Sequence, residues 1–419
     1  MLDRPNQSIG DLIRARAPGH SLPADLYRRA DVFEADLDVF FERQWALVGL
    51  EADAPNPGDL YVIDVGRASV IVARGDDGEL RAFHNVCRHR GARLREAGKG
   101  KARKLVCPYH RWTYELTGDL FRAPHMGKAF QSACYGLRKV HLRSVGGLLF
   151  VCLADDPPED FADLELAMKD RLAPYGLGDA KIAFENEIVE AGNWKLTMEN
   201  NRECYHCPGG HPELGVTFIA QDFGFDPDEL SPQGRQEAAR HEAEFARRTD
   251  AWEKEGHASR AIEHLTGHVT NFRTERLMMG SDGRAQSATM DGKPACGRLL
   301  VSNGRTDLGD LHFWTHHSWH HYMCDHAVVT TAFPLAPDRT RVRSVWLVHK
   351  DAVEGVDYDV ENLTRVWKAT NEQDARLVGI AFQGVCTPGY RPGPYSSFTE
   401  RHLDDFATWY GERIRDAGY

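Results

Sequence analysis

The 419-residue chain contains no run of about 18 apolar residues, so no segment is expected to cross a membrane as a helix. Its opening stretch, MLDRPNQSIGDLIRARAPGH, lacks the apolar core of a secretory signal. There is no surplus of positive charge. Lys and Arg number 51 against 62 Asp and Glu, a net charge of -11, which is the wrong sign for a nucleic-acid binder. Low-complexity tracts and internal repeats are missing. The nine cysteines are odd in number and follow no framework spacing. They are therefore expected to pack or to bind metal in a reducing cytoplasm. No G-x-G-x-x-G follows a strand pattern, so a dinucleotide or flavin is not expected to bind this chain itself.

What is present fills two or three domains by length alone. Residues 24 to 44 carry apolar side chains at helical spacing and predict a helical arm. From Gln44 the texture changes to short alternating runs with Gly-Asp turns, as in GDLYVIDVGRASVIVARGDDGELRAFHNVC, which predict antiparallel hairpins. That texture lasts to GGLLFVCLADD, and DDPPED then marks a boundary. Helix is expected at 160–175, strand at 181–191, and helix through NWKLTMENNRECYH. The polar segment 227–265 is helical in composition, and substrate-gating or subunit contacts are expected there. Strands return over 270–350, and helices at 358–383 and 402–416 close the chain. The order is arm, all-β unit, then a mixed α+β unit.

Two clusters carry chemistry. In the β unit, Cys87-x-His89 and Cys107-x2-His110 are separated by seventeen residues. Two Cys and two His on paired loop tips suit tetrahedral zinc. One Cys and one His from each tip also suit a [2Fe–2S] centre, with thiolates on one iron and imidazoles on the other. Gly91, Pro108 and Gly118 favour the second reading, because such tight loops expose backbone N–H groups to sulfide. The other cluster is ENNRECYHCPGGH. His206 and His211, with one carboxylate from a distant helix, would make the two-His, one-carboxylate triad of non-haem Fe(II). WKATNEQDARLVG offers Glu372 and Asp374, and Asp374 is the better placed. Cys204 and Cys207 are expected to be small packed residues rather than ligands, because thiolate favours soft-metal chemistry over an open O2 site.

Together FHNVCRHRG, KLVCPYHRWTYELTGDL, NWKLTMENNRECYHC, TMDGK, WLVHKDAVEGVDYD and PGPYS resemble the oxygenase (α) component of Rieske non-haem iron oxygenases, over nearly the whole chain. The closer similarity is to members acting on betaines. The resemblance implies an α+β fold in three parts: an arm, 1–44, packing on the catalytic domain; a Rieske [2Fe–2S] domain, 45–156; and a catalytic domain, 157–419, whose curved antiparallel sheet grips a long helix. It implies a homotrimer. In it Glu203 would join His89 or His110 of one subunit to His206 of the next, where many members carry aspartate. Asn200 is placed near the iron by resemblance only. The implied activity is O2-dependent N-demethylation of a quaternary amine, glycine betaine foremost, with release of formaldehyde. Proline betaine, carnitine-like amines and, further off, aromatic rings are the alternatives. Electrons would come from NAD(P)H through a separate flavin and [2Fe–2S] reductase. A plain electron carrier is the non-enzyme reading; it would have no use for His206, His211 and Asp374.

A quaternary ammonium must be held by aromatic faces, and LHFWTHHSWHHYMCDH, 311–326, is the richest source. Read as one strand, it puts Trp314, His316, His320 and Tyr322 on one face and Phe313, His317, Trp319 and His321 on the other. Trp319 or Tyr322 is expected in the cage, and His320 or His321 as donor to a substrate carboxylate.

Overall fold

The structure is a computed structural model and describes residues 7–419. The chain separates into two compact units, one of Phe40–Glu159, the other of the residues up to Val39 together with Asp160–Tyr419.

The N-terminal residues form three short helices, α1 (Ile9–Arg14), α2 (Ala24–Arg28) and α3 (Ala30–Asp36). The single helix expected over 24–44 is broken. Arg29 is extended, with ψ of 138°, and Leu37–Glu42 winds as a wider π-helical turn. The arm is fastened by buried polar groups. The Asp36 carboxylate accepts from Trp194 Nε1 at 2.9 Å, from the Tyr410 hydroxyl at 2.7 Å and from the Lys195 ammonium. Asp36 and Lys195 are fully buried, and removing one partner of such a pair typically costs about 3–5 kcal/mol.

The Phe40–Glu159 unit is all-β. Its strands are β1 (Ala46–Leu50), β2 (Asp59–Val65), β3 (Ala68–Arg74), β4 (Leu80–His84), β5 (Gly98–Lys101), β6 (Leu105–Val106), β7 (Thr113–Tyr114), β8 (Leu120–Arg122), β9 (Lys139–Val145) and β10 (Leu148–Cys152). They make a seven-stranded sheet ordered β1-β10-β9-β4-β3-β2-β5 and a three-stranded sheet, β6-β7-β8. Leu60, Val62, Ile71, Phe83, Trp112 and Tyr114 pack in one core with Cys87 and Cys107. Each such side chain contributes roughly 1.5–3 kcal/mol by leaving water.

In the other unit α4 (Phe161–Leu172) precedes β11 (Lys181–Glu190) and α5 (Trp194–Asn200). A Cβ on Gly192 would lie 2.5 Å from Val378 Cγ1, so glycine lets the turn into α5 pass close to the long helix Val360–Val385. The short α6 (Cys207–Gly210) follows, then α7 (Pro232–Lys254), capped by Ser231 Oγ. α7 accounts for the polar 227–265 segment. Most of its surface is solvated, and His241 reaches inward to Asp222 at 2.6 Å. Strands β12 (Ile262–His264), β13 (Phe272–Leu277), β14 (Asp310–Thr315), β15 (Ser318–Tyr322), β16 (His326–Ala336) and β17 (Arg339–Val348) join β11 in one antiparallel sheet, ordered β11-β17-β16-β15-β14-β13-β12. α8 (Val360–Val385) lies against this sheet, and α9 (Arg401–Asp416) ends the chain. Trp367, Thr370, Asn371, Asp374 and Val378 form the buried stripe of α8, at the spacing of one helical face. Asn371 Nδ2 fixes its rotation by donating to Ser344 Oγ on β17 at 2.8 Å.

Two further expectations are corrected. The helix thought to run through NWKLTMENNRECYH stops at Asn200, and residues 201–206 turn irregularly. The segment 311–326 is a hairpin rather than one strand, with His316 and His317 as its two-residue turn. The turn resets the alternation. His312 pairs with His321 and Trp314 with Trp319, so those four share a face.

Candidate metal and substrate sites

In the β unit two loops repeat one another. The Cys87 carbonyl accepts from Gly91 N at 3.0 Å, and the Cys107 carbonyl from Arg111 N at 3.2 Å. Gly91 and Arg111, each four residues past its cysteine, have φ of 75° and 63°. Arg111 holds a left-handed conformation costly for a long side chain. The result is two matched turns. The Cys87 and Cys107 thiols face one another, buried, while the rings of His89 and His110 meet edge to face at 4.7 Å. His89 stacks on Trp112 at 4.9 Å. Tyr114 OH lies 3.3 Å from Cys87 Sγ and 3.0 Å from Arg88 N. His110 Nδ1 is buried without a hydrogen-bond partner. Two converging thiols, two converging imidazoles and an orphaned ring nitrogen fit a mixed-ligand cluster.

The second site grows from α5. Asn193 caps it, its Oδ1 accepting from Lys195 N at 3.1 Å. The turn after Asn200 swings Glu203 under His206, and α6 then carries the chain to His211. His206 Nε2 and His211 Nε2 are 3.0 Å apart. Asp374 Oδ1, brought in by α8, lies 3.4 Å from the first and 3.0 Å from the second. The outer nitrogens are both engaged. Glu203 Oε1 takes His206 Nδ1 at 2.5 Å, and Gln373 Oε1 takes His211 Nδ1 at 2.9 Å. An acceptor at Nδ1 keeps the proton there. Both Nε2 lone pairs then converge on each other and on a buried carboxylate oxygen that itself has no hydrogen-bond partner. Such an arrangement is repulsive unless a proton or a metal ion sits among the three atoms, and the donor set is that of non-haem Fe(II).

Electrostatics agree. Burial alone would lower His206, but the Asp374 and Glu203 carboxylates outweigh it and raise the ring to about 9. Burial would raise Asp374, yet the two imidazoles hold its carboxyl below the usual range. A proton and a metal ion compete for the same nitrogens, so the anionic surroundings that favour one favour the other.

Glu372 is exposed, whereas Asp374 is buried and aimed at the histidines. Asn200 Nδ2 stands 3.3 Å from His206 Nε2. Cys204 and Cys207 are not separate packed thiols, as expected from sequence. They are joined as a disulfide across the turn, with Cα atoms 4.9 Å apart. Cys207 lies near the two histidines, but a disulfide sulfur is no thiolate ligand.

Beside the triad opens a narrow cleft with a cavity of about 50 Å³. Phe218, Phe223, Trp319, Trp367, His312 and His321 line it together with the triad. Phe218 meets Trp367 edge-on at 5.6 Å, and His321 stacks on Trp367 at 3.8 Å. Of the substrate residues expected from sequence, Trp319 and His321 reach the cleft. Tyr322 and His320 do not, because alternation along β15 sets them on the face opposite Trp319 and His321. Tyr322 packs on Tyr175 at 5.5 Å, and His320 Nε2 bonds Ser318 Oγ at 2.9 Å. Sequence reasoning missed Gln373, His312, Phe218, Phe223 and Trp367. Only Trp367 carried a signal, two helical turns before Asp374 on the same face.

Comparison with known proteins bears on both sites. Residues 44–141 match the model of the Rieske [2Fe-2S] domain, and residues 179–416 that of the ring hydroxylating alpha subunit, catalytic domain. The chain is 43% identical over 409 residues to the glycine betaine monooxygenase oxygenase subunit of Chromohalobacter salexigens, covering 97% of this chain and 88% of that one. It is 42% identical over 422 residues to the subunit of the same name from Pseudomonas aeruginosa, covering 99% and 93%. The fold is similar to that of the quaternary ammonium Rieske monooxygenase CntA, with a TM-score of 0.70 at 20% identity over 97% of this chain and 99% of that chain.

Proposed function

The chain belongs to the family of Rieske-type ring-hydroxylating oxygenase alpha subunits, and on that premise we propose that it N-demethylates glycine betaine as the terminal oxygenase of a two-component monooxygenase. The cleft carries the reading. It joins a two-His, one-carboxylate triad to a wall of aromatic rings, and among the described residues neither Lys nor Arg lines it. A quaternary ammonium can neither donate a hydrogen bond nor give up a proton, and aromatic faces are what hold it. The names of the relatives above support betaine as the amine.

In this reading Cys87, Cys107, His89 and His110 would hold the Rieske [2Fe–2S] cluster, and His206, His211 and Asp374 the mononuclear iron. When bound, that iron with O2 and two delivered electrons supplies the oxidation of an N-methyl carbon. The chain's own residues set the conditions. Glu203 and Gln373 keep the Nδ1 protons in place, so that both Nε2 atoms serve as ligands. Asn200 stands beside the triad as an orienting group. Phe218, Trp319 and Trp367 exclude water and grip the ammonium, while the carboxylates of Glu203 and Asp374 make the cleft receptive to a cation. One oxygen atom enters the methyl group, and the other leaves as water with two electrons and two protons. The hydroxymethyl amine then loses formaldehyde and a proton, leaving dimethylglycine, a step that needs no dedicated residue.

Electrons start from NAD(P)H and pass through a separate flavin and [2Fe–2S] reductase. A homotrimer gives the cluster of one subunit a short route to the iron of the next, with Glu203 linking His89 or His110 to His206. The cytoplasm is the compartment that supplies such a reductase. Steady-state turnover with a surrogate reductase tests the proposal. Betaine should yield formaldehyde and dimethylglycine in equal amounts, and benzoate should yield neither. Hydroxylation of benzoate with betaine untouched would replace this reading with the aromatic-ring one.

A further inference from the structure

We infer that Cys204 and Cys207 form a thiol–disulfide switch on the metal site: the disulfide keeps the site open for iron, and its reduction supplies Cys207 as a fourth donor that closes the site in favour of zinc. The inference rests on the reading of His206, His211 and Asp374 as a metal site.

The switch stands where the ligands are set. Cys204 and Cys207 bracket Tyr205 and His206. Cys207 also opens α6, which leads to the next ligand, and its carbonyl accepts from His211 N at 2.9 Å. Cys207 Sγ lies within 4.8 Å of a ring nitrogen of each histidine. Both cysteines line the cleft together with Asp374. Tetrahedral zinc, about 2.0 Å from nitrogen and about 2.3 Å from sulfur, holds two such donors about 3.6 Å apart. The shortfall is at most about 1 Å, less than a freed Cys207 side chain covers in passing from one rotamer to another. While the S–S bond stands, that rotation is blocked and the sulfur is no thiolate. Three protein donors and an open position suit a metal that must meet O2. Four protein donors make a closed site, and thiolate among them favours zinc.

The bond is within reach of a small thiol. Cys204 is buried and Cys207 half-buried. The two also line a second cavity, of about 430 Å³, with Pro208, Val216 and Ile219, a size typical of small-molecule sites. Disulfides in the cytoplasm, the compartment proposed above, are usually transient and catalytic or redox-sensing. The exchange balances with two thiols. A first thiolate attacks Cys207 Sγ, the Cys204–Cys207 bond breaks, and Cys204 leaves as thiolate and takes up a proton. A second thiol then frees Cys207 and departs joined to the first as a disulfide. When zinc binds, the Cys207 proton passes to solvent.

Metal affinity of the full chain, with its Rieske cluster loaded and its mononuclear metal removed by chelator, tests the inference. The disulfide form, and the form reduced by a phosphine and desalted without air, are each titrated with zinc against a chromophoric chelator. Reduction should tighten zinc by at least about tenfold, the lower edge even for groups that only orient a ligand. Cobalt on the reduced form should show a sulfur-to-cobalt charge-transfer band that the disulfide form lacks, each read against metal-free protein in the same state. Cys204→Ser leaves Cys207 free, and should give tight zinc binding and the cobalt band without reductant. Cys207→Ser should give neither, before or after reduction. Both variants lose the disulfide, so their opposite behaviour separates a ligand from a loosened turn. Two variants that behave alike, or a shift in zinc affinity of less than about threefold on reduction, would overturn the inference and leave the proposed function standing. Should a variant fail to fold, the cobalt band of reduced wild type decides, and its absence overturns the inference. If neither form of wild type binds zinc or cobalt, the metal-site reading falls, and this inference with it.

Discussion

Replacing Gln373 by leucine should loosen the mononuclear iron while leaving all three of its ligands in place. The Gln373 carboxamide spans two groups, its Oε1 2.9 Å from His211 Nδ1 and its Nε2 2.8 Å from Glu213 Oε2. The contact with Glu213 fixes which end of the amide faces the imidazole, and so fixes the His211 tautomer. Leucine fills the space and accepts nothing. One lost hydrogen bond costs about 1 kcal/mol, and freeing the ring to choose between two tautomers adds about 0.4 kcal/mol. The sum corresponds to about a tenfold weaker site, at the lower edge of the roughly 10–100-fold range for orienting partners of metal ligands. Competition with a ferrous chelator measures it, with the visible absorbance of the Rieske cluster as internal standard for intact protein. Gln373→Glu keeps an acceptor against His211 but sets its other carboxylate oxygen against Glu213 Oε2, so it should stay near wild type only when paired with Glu213→Gln. A leucine variant that retains iron within twofold of wild type would refute the reasoning, because His211 would then be oriented by something else.

Asp374→Ala should lower the metal count from three irons per two sulfides to two, whereas Glu372→Ala should leave it at three; iron and sulfide assays decide. Lys195→Met should destabilise the catalytic unit by about 3–5 kcal/mol, read by thermal or denaturant unfolding, because Asp36 keeps its charge without its cation. Glu199 gives a pH dependence. Burial, opposed by Tyr27 and nearby cations, raises its carboxyl from 4.5 to about 7. The folded state therefore holds a proton that the unfolded state has released, and stability falls as pH rises from 4.5 through 7. The shift corresponds to about 3 kcal/mol. Glu199→Gln should flatten that fall and exceed wild type in Tm at pH 8 while matching it near pH 4.5; parallel curves would contradict it.

Much of this architecture is written locally. Cys87, His89, Cys107 and His110 sit in short loops whose spacing alone brings them together, and alternation in the flanking strands marks the β unit. The buried stripe of α8 follows from helical periodicity, and it puts Asp374 rather than Glu372 on the inner face. The misreadings arise where the signal is not local. The turn at His316 and His317 has none of the Gly, Asn or Asp that usually mark a two-residue hairpin loop. Read as a single strand, the segment puts Trp314 on the face of His320 and Tyr322, whereas the hairpin puts it with Trp319 and His321. Nothing in NWKLTMENNRECYH announces that the helix ends at Asn200, since no glycine or proline follows at once. Phe218 and Phe223 reach the cleft from irregular turns between 214 and 223, where no period exists to read. Gln373 is a polar residue on a helix until Glu213 and His211 close around it.

The most direct test of the central claim is a single turnover. The iron-loaded protein is reduced chemically, freed of reductant, and given O2 with glycine betaine, so that no matched reductase is needed. The account predicts formaldehyde at up to one equivalent per mononuclear iron, together with reoxidation of the Rieske cluster, and none from Asp374→Ala. Cluster reoxidation without formaldehyde from betaine or any related quaternary amine, with both metal sites full, would contradict it.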